Sequence, residues 1–452
     1  ALATSIALPL AWLVTRTKMW GQSMVTLLGV IPLAVPGYVM AYALMAATGQ
    51  SGFLGATGLP RASGFWGATL ALGVYTSPYM FLSLRAALKG LDPSLEDAAR
   101  TFGMNQKQVA HRVVLPQLRP AFLSGGLLIS LHALGDFGVV SLMRFETFSY
   151  AIYLQYSSAF DRTYAAWLAL MLLVMTAVLL FFEAKLLKGK RFSRTGSGAI
   201  NPIERTHLGR WSIPAFVFVA VVGLVGVVVP ISTILYWLGQ GFGTTNWMHL
   251  AEALLHSCMS SMPAAALAGL LALPIAYLAV RKEAPATRFV ERITYLGYSI
   301  PPLAFALALI FFSLRTAPFL YQSLGLLIIA YAIHFLPEAY GPIRNTLYQA
   351  PPEIEEAGRS LGRPPVRAFL NTTFPLLRPG IAAGLALTFL SAIKELPITF
   401  LLSPLGFHTL PMRVWSAAGE SLFGLAAPYA RLSIVASSAS VWVLLSERKL
   451  HY

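Results

Sequence analysis

The chain of 452 residues is 56% hydrophobic and 11% charged, with a formal net charge of +15 and a mean hydropathy of +0.66. A soluble domain carries about 25% charged residues, so this composition excludes an ordinary soluble protein. Membrane-spanning backbones satisfy their hydrogen bonds internally, and the alternating short segments of a barrel are not seen here. We therefore predict an all-α polytopic membrane protein.

The first half contains five apolar segments that we expect to cross the membrane, each of about 20 residues where complete. They are Ala1–Thr15, Met24–Ala47, Trp66–Leu88, Ala121–Met143 and Tyr164–Leu187. A polar stretch of residues 93–120, called the first loop below, separates the third segment from the fourth.

The linker of residues 188–210 is polar and basic and contains Gly and Ser. This composition is typical of a flexible tether. It divides the chain into a first transmembrane repeat at residues 1–187 and a second at residues 211–452.

The second half contains six apolar segments: Trp211–Leu238, His256–Val280, Ile293–Leu314, Tyr321–Leu347, Gly380–Leu402 and Gly424–Leu445. A polar stretch of residues 352–379, the second loop, again precedes the penultimate segment. The single cysteine, Cys258, lies in an apolar segment, where we expect it to serve core packing.

The two halves align with each other. Constant offsets superpose, in order, Pro9, Arg16, Pro36, Arg85, Pro93, Glu96, Gly103, Pro116, Pro120 and Asp136 on Pro274, Arg281, Pro301, Arg344, Pro352, Glu355, Gly362, Pro375, Pro379 and Glu395. The first repeat lacks a counterpart of Trp211–Leu238, and the chain does not begin with Met. We therefore expect that the first helix of repeat one is missing and that the full chain has twelve spans.

Lys and Arg residues set the orientation, because cytoplasmic loops carry the excess of positive charge. Most of them, including those of both loops and the linker, fall on one side of the predicted spans. The exceptions are Arg61, Arg144, Arg162, Arg315, Arg413 and Arg431 on the other side and Lys394 within a span. Both loops are therefore predicted to be cytoplasmic and the repeats parallel. This distribution explains the basic charge without nucleic-acid binding.

The two loops share one spacing. In the first loop, three residues separate Asp97-Ala98-Ala99 from Gly103, and nine residues separate Gly103 from the run that ends at Pro116. Glu356-Ala357-Gly358 precedes Gly362 by three residues and Pro375 in the same register. A loop duplicated in this way is typical of a docking surface for a paired partner.

Each loop is predicted to form two short helices joined at its glycine, where a left-handed residue is tolerated. Ser94 with Asp97 resembles a capping box at the start of the first helix, and Asn105 with Gln108 suggests a second cap. In the second loop, Pro364 and Pro365 mark a helix start.

Small and acidic side chains of the first short helices are the candidate partner contacts. Ala98, Ala99, Ala357 and Gly358 allow another backbone to approach, and Glu96, Asp97, Glu355 and Glu356 can receive Lys or Arg. An amphipathic loop lying on the lipid surface is the alternative interpretation.

This pattern resembles the EAA loop of binding-protein-dependent ABC importer permeases: E-A-A, three residues, Gly, nine residues, I-x-L-P. The first loop reads D-A-A and V-V-L-P, and the second reads E-A-G and T-T-F-P. The resemblance implies a type I importer permease fold of two parallel repeats of about six helices in a bacterial inner membrane. It also implies that each loop docks in a groove of a cytoplasmic ATPase subunit.

The chain contains no G-x-x-x-x-G-K-[ST] phosphate loop. We therefore expect that it is not an enzyme and binds no cofactor, and that ATP and Mg²⁺ belong to two separate ATPase subunits. A periplasmic substrate-binding protein would deliver the cargo to the outer loops.

Charged residues within a membrane span are costly and often functional. Asp136 aligns with Glu395, which follows Lys394, and His132 lies one helical turn before Asp136. These four residues are the candidate translocation path, in which Asp136 and Glu395 would face each other. The alternative is structural: Asp136 caps a bend, and Glu395 pairs with Lys394 or a neighbouring helix. We expect no dedicated metal site.

Two stretches resemble the fused permeases of ferric-iron importers: Lys394-Glu395-Leu396-Pro397 with residues 401–410, and residues 135–140 with Ile152-Tyr153. The resemblance implies ferric iron as cargo, and Fe³⁺ prefers oxygen ligands. Thiamine, polyamine and oxyanion importers remain alternatives, as does a secondary carrier driven by an ion gradient.

Overall fold

A computed structural model describes residues 1–159, 161–187, 205–241, 245–282 and 284–447. The regular secondary structure of these residues is helical, without a strand; Thr17 and Thr206 form an isolated bridge. The all-α prediction is therefore confirmed. Of the predicted tether, residues 188–204 lie outside the described residues.

Thirteen α-helices are described before residue 242. They are Leu2–Arg16, Gln22–Val30, Gly37–Ala47, Gly64–Gly90, Pro93–Thr101, Gln106–Val109, Leu115–Gln117, Arg119–Gly135, Gly138–Leu142, Phe148–Ser157, Arg162–Leu187, Ser212–Gly223 and Val229–Gly241. Two π-helical turns, Ala110–Val114 and Leu224–Val228, continue the helices before them.

Eleven α-helices are described after residue 244. They are Trp247–Arg281, Pro285–Ser299, Pro302–Thr316, Leu324–His334, Leu336–Gln349, Pro352–Ser360, Pro365–Asn371, Thr373–Ile393, Pro397–Leu402, Leu410–Gly419 and Phe423–Glu447.

By length and hydropathy, four described helices are able to cross a membrane, or up to eight spans if each of four bent helix pairs counts as one. The shorter helix Leu2–Arg16 is also apolar. Three segments predicted as single spans are such bent pairs, at residues 24–47, 293–314 and 321–347.

The breaks at residues 24–47 and 293–314 have one cause. The helix pair at Pro36 bends by 99° and the pair at Pro301 by 108°. Proline has no backbone N–H, and it forces the preceding residue out of the helical region. Val35 and Ile300 are accordingly extended, with ψ of 114° and 128°.

The chain forms two compact units, residues 1–150 with 174–236 and residues 151–173 with 237–452. These units exchange segments relative to the repeats read along the chain. The helical stretch 212–236 packs in the first unit, where a Cβ on Gly223 would lie 3.4 Å from Leu28 and one on Gly226 would lie 3.5 Å from Val74. Glycine thus permits the close helix approach common in membranes.

Small residues also organise the second unit. Trp247–Arg281 buries a stripe of alanines, and Thr373–Ile393 places Gly384 against the backbone of Ala339. The alanines Ala268, Ala272 and Ala276 share their core with Ala332, Ala339, Tyr340 and Ile343. The helices on either side of the second loop, Leu336–Gln349 and Thr373–Ile393, are therefore closely packed.

Candidate functional site

The two loops form the predicted pairs of short helices. Pro93–Thr101 is followed by Gly103 with φ of +82°, and Pro352–Ser360 by Gly362 with φ of +83°. Both glycines adopt the left-handed conformation that side chains disfavour. The prediction of two short helices joined at a glycine is confirmed in both copies.

The first cap differs from the prediction. Asp92, rather than Ser94, caps the helix by accepting a hydrogen bond from the Ser94 backbone N–H at 3.0 Å. Pro93 suits the first helical position because no partner for its missing N–H is needed there, so the cap lies at Asp92, two residues before the predicted Ser94. The predicted box of Asn105 and Gln108 is confirmed, with two reciprocal 2.9 Å bonds.

Each loop exposes an acidic and an apolar side chain. Asp97 is 68% exposed, and Glu356 is exposed at the matching position. Phe102 and Leu361, also matched, are 85% and 82% exposed just before the glycines. Large apolar side chains so exposed on a polar loop are typical of a partner contact.

The small residues divide between two faces. Ala98 and Ala357 are exposed, whereas Ala99 and Gly358 are buried. A Cβ on Gly358 would lie 3.4 Å from Ala368 of the second short helix. The close approach at Gly358 is therefore made by the loop itself, so that it is not available to a partner.

Glu96 and Glu355 turn inward, unlike the acids that follow them. Glu96 Oε1 lies 2.5 Å from Arg16 Nη1, with both side chains at most 12% exposed. Glu355 is 4% exposed and accepts bonds from Tyr277 Oη at 2.8 Å and Thr373 Oγ1 at 3.1 Å. Of the four carboxylates predicted to receive a partner's cations, only Asp97 and Glu356 are exposed.

Asp136 caps a helix within the membrane region. Arg119–Gly135 ends directly before it, and its Oδ1 accepts from the backbone N–H of Val139 at 2.8 Å and of Val140 at 3.3 Å. Because the helix ends at Gly135, Asp136 stands at its C-terminal boundary, and its side chain accepts from the first turn of the next helix, Gly138–Leu142.

Glu395 caps the matching break. Thr373–Ile393 ends before Lys394, and Glu395 Oε1 accepts from the backbone N–H of Ile398 at 2.9 Å. The aligned acids thus perform the same local task, that of stabilising the first turn of a short helix. Capping is the structural alternative that the sequence left open for Asp136, and it applies to Glu395 as well.

His132 is bonded across to another helix. Its Nδ1 donates to the Leu128 carbonyl at 2.9 Å, so its Nε2 accepts from Tyr79 Oη at 3.0 Å. At the aligned positions of the second repeat, Ser391 Oγ donates to Glu338 Oε1 at 2.9 Å. One cross-helix bond therefore recurs with different chemistry.

Glu338 was missed by the sequence analysis. It lies in the predicted span of residues 321–347, where its Oε1 accepts the bond from Ser391. Its Oε2 is buried and has no hydrogen-bond partner in the part of the chain that the structure describes. The signal was an acid inside an apolar segment, obscured by its alignment with the neutral Tyr79.

Within the described residues, no group of three or more His, Cys, Asp or Glu is placed to hold a metal ion. Asp136 and Glu395 use backbone N–H groups as partners. The charged positions in the membrane are therefore arranged for capping and cross-helix bonding.

The family model for the inner membrane component of binding-protein-dependent transport systems matches residues 5–191 and 268–450. The two matches include the first and second loops, one in each. The duplication read from the sequence is therefore also a duplication of the family domain.

Several curated relatives are similar to the chain. The Fe(3+)-transport system permease protein FbpB 2 of Haemophilus influenzae is 32% identical over 98% of this chain and 86% of its own length. The ferric transport system permease protein FbpB of Actinobacillus pleuropneumoniae is 24% identical over 94% of this chain and 65% of its own length. The molybdenum permease protein ModB of Escherichia coli is 34% identical over 30% of this chain.

Proposed function

This chain belongs to the family of inner membrane components of binding-protein-dependent transport systems, and from that premise we propose that it is the permease subunit of an ATP-driven importer of ferric iron. The protein lies in the inner membrane, and its helices carry the cargo across that membrane. Two cytoplasmic ATPase subunits and a periplasmic substrate-binding protein complete the transporter.

The observation that carries this proposal is that the two loops expose the same kinds of side chain at matching positions. Each presents an acid, Asp97 or Glu356, and an apolar side chain, Phe102 or Leu361, on a pair of short helices. An apolar anchor beside a charge suits a pocket rimmed by Lys or Arg. Because the surface occurs twice, it supports two ATPase subunits per chain.

ATP chemistry is assigned to those subunits. The sequence contains no phosphate loop, so the chain itself would bind neither ATP nor Mg²⁺ and would act without catalysis. Closure of two nucleotide-bound ATPases would move the loops, and the loops would move the membrane helices.

Ferric iron is supported by the relatives that cover most of the chain, whose names describe ferric systems. Fe³⁺ prefers oxygen ligands, and a permease moves its cargo faster when no site in the membrane holds it tightly. Capped and paired acids such as Asp136 and Glu395 fit such a weak path.

The test is uptake by proteoliposomes that contain the chain, its two ATPase subunits and an iron-loaded binding protein. We expect radiolabelled Fe³⁺ to accumulate with ATP and not with a non-hydrolysable analogue. Accumulation driven by a proton gradient without nucleotide would refute the ATP-driven mechanism. Stimulation of ATP hydrolysis by a binding protein loaded with thiamine or molybdate, but not with iron, would refute the cargo.

A further inference from the structure

Each loop is bonded to a membrane helix of its own unit, Leu2–Arg16 in the first unit and Trp247–Arg281 in the second. In the first unit, Arg16 ends the helix Leu2–Arg16; its Nη1 contacts Glu96 Oε1 at 2.5 Å, and its Nη2 donates to the Leu88 carbonyl at 3.4 Å. One guanidinium thus holds the short helix and the end of Gly64–Gly90, which leads into it. We call this contact the first tie.

The second unit makes the same connection with other groups. Glu355 accepts from Tyr277 of the helix Trp247–Arg281, from Thr373 after the loop and, at 2.6 Å, from Arg359 Nη2. Arg281, aligned with Arg16, donates to the Ala350 carbonyl at 2.9 Å just before the loop. We call the set of bonds to Glu355 the second tie.

The two ties use different residue types at aligned positions. Val114 stands at the position of Thr373 and offers no side-chain donor, and Trp12 stands at the position of Tyr277. In the first unit the arginine that ends the membrane helix contacts the glutamate, whereas in the second unit a phenol, a hydroxyl and the loop's own Arg359 do so. The connection between loop and membrane helix is kept although most of its chemistry differs.

Position and burial separate the ties from the docking surface. Glu96 precedes Asp97 and Glu355 precedes Glu356, and consecutive helical residues point about 100° apart. One acid of each pair therefore faces outward while the other is enclosed. Buried charges are stabilised only while paired, so each tie resists separation of the loop from its helix.

We propose that Glu96 and Glu355 are positioning residues that transmit movement of each short helix to the membrane helix ending at Arg16 or Arg281. This inference rests on the proposed function, because it assigns the step between ATPase docking and helix movement. Without its tie, a docked loop would move while the membrane helix lagged behind.

The experiment measures the coupling ratio, defined as Fe³⁺ transported per ATP hydrolysed, in the reconstituted complex. We expect Glu96→Gln and the double variant Tyr277→Phe, Thr373→Val to retain the ATPase subunits on purification and to hydrolyse ATP. Their coupling ratio should fall about tenfold, a magnitude typical of coupling between sites. Arg16→Glu combined with Glu96→Arg should restore much of it.

Glu353→Gln is the matched control, because it removes an exposed carboxylate from the same short helix as Glu355; its coupling ratio should equal that of the wild type. If a variant fails to fold, Tyr277→Phe alone removes one hydroxyl and should still lower the ratio. An unchanged ratio in the tie variants would refute the inference, as would loss of the ATPase subunits on purification, which would mean that Glu96 and Glu355 act in docking. Failure of the wild type to import iron with ATP would instead refute the proposed function.

Discussion

The two loops are alike on their outward faces and different on their inward faces. The outward positions keep an acid, a large apolar side chain and glycine, at Asp97, Phe102 and Gly103 and at Glu356, Leu361 and Gly362. Inward, Glu96 meets an arginine, whereas Glu355 meets a phenol and hydroxyl as well. A surface that meets the same kind of partner twice is constrained in residue type, while a buried carboxylate needs only some set of donors.

The largest effect should come from the outward faces. Phe102→Asp with Leu361→Asp places charge where the proposed ATPase pocket is apolar, and loss of two central anchors removes at least about 4 kcal/mol of binding. We expect the ATPase subunits to be lost on affinity purification and iron uptake to stop.

Both side chains are more than 80% exposed, so the melting temperature of the chain should not change. Asn371→Ala, an exposed change on the second short helix, serves as the control. Retention of the ATPase by the double variant would show that the outward faces are not the docking surface.

The hydrogen bonds that join membrane helices also differ between the two repeats, being Tyr79 with His132 in the first and Ser391 with Glu338 in the second. Glu338→Leu removes the buried carboxylate that accepts the Ser391 hydroxyl and should destabilise the protein by about 1.5–3 kcal/mol, the range for a hydrogen bond to a charged group. Tyr79→Phe, at the aligned position, removes one neutral hydrogen bond to His132 and should cost about 1 kcal/mol.

Thermal unfolding in detergent, followed by fluorescence, measures both changes. Ser391→Ala, which removes only the donor to Glu338, should fall between them. Equal losses for Glu338→Leu and Tyr79→Phe would contradict a charged role for the second repeat's pair.

The glycines test whether the loops are equivalent in backbone. A Cβ on Gly103 or Gly362 would meet nothing within 4 Å, so substitution by Ala carries only the left-handed penalty of about 1–2 kcal/mol. We expect Gly103→Ala and Gly362→Ala to lower the melting temperature by similar amounts. Clearly unequal shifts would show that the loops differ in their need for the turn.

The smallest effect should come from the capping acids. Asp136→Asn keeps an acceptor for the Val139 N–H, whereas Asp136→Ala loses it and should cost about 1 kcal/mol. If capping is the whole role, iron uptake will be near normal for Asp136→Asn and for Glu395→Gln. A strong loss of uptake in both, with unchanged stability, would instead assign the charges to the path.

Local features of the chain were predictable because they depend on neighbouring residues. Pro93 and Pro352 start the first short helix of each loop, and Gly103 and Gly362 end it, through backbone geometry alone. The breaks at Pro36 and Pro301 follow from the same geometry, although the hydropathy of the flanking residues suggested continuous spans.

By itself, the sequence determined the helical class, the duplicated loops and their family, because hydropathy, spacing and proline or glycine geometry are local properties. Only the tertiary structure decided that Glu96 turns inward while Asp97 turns outward, that Glu338 bonds to Ser391, and that the helical stretch 212–236 packs in the first unit. Each of these depends on which distant side chain fills the adjoining space, and spacing along the chain carries no record of that.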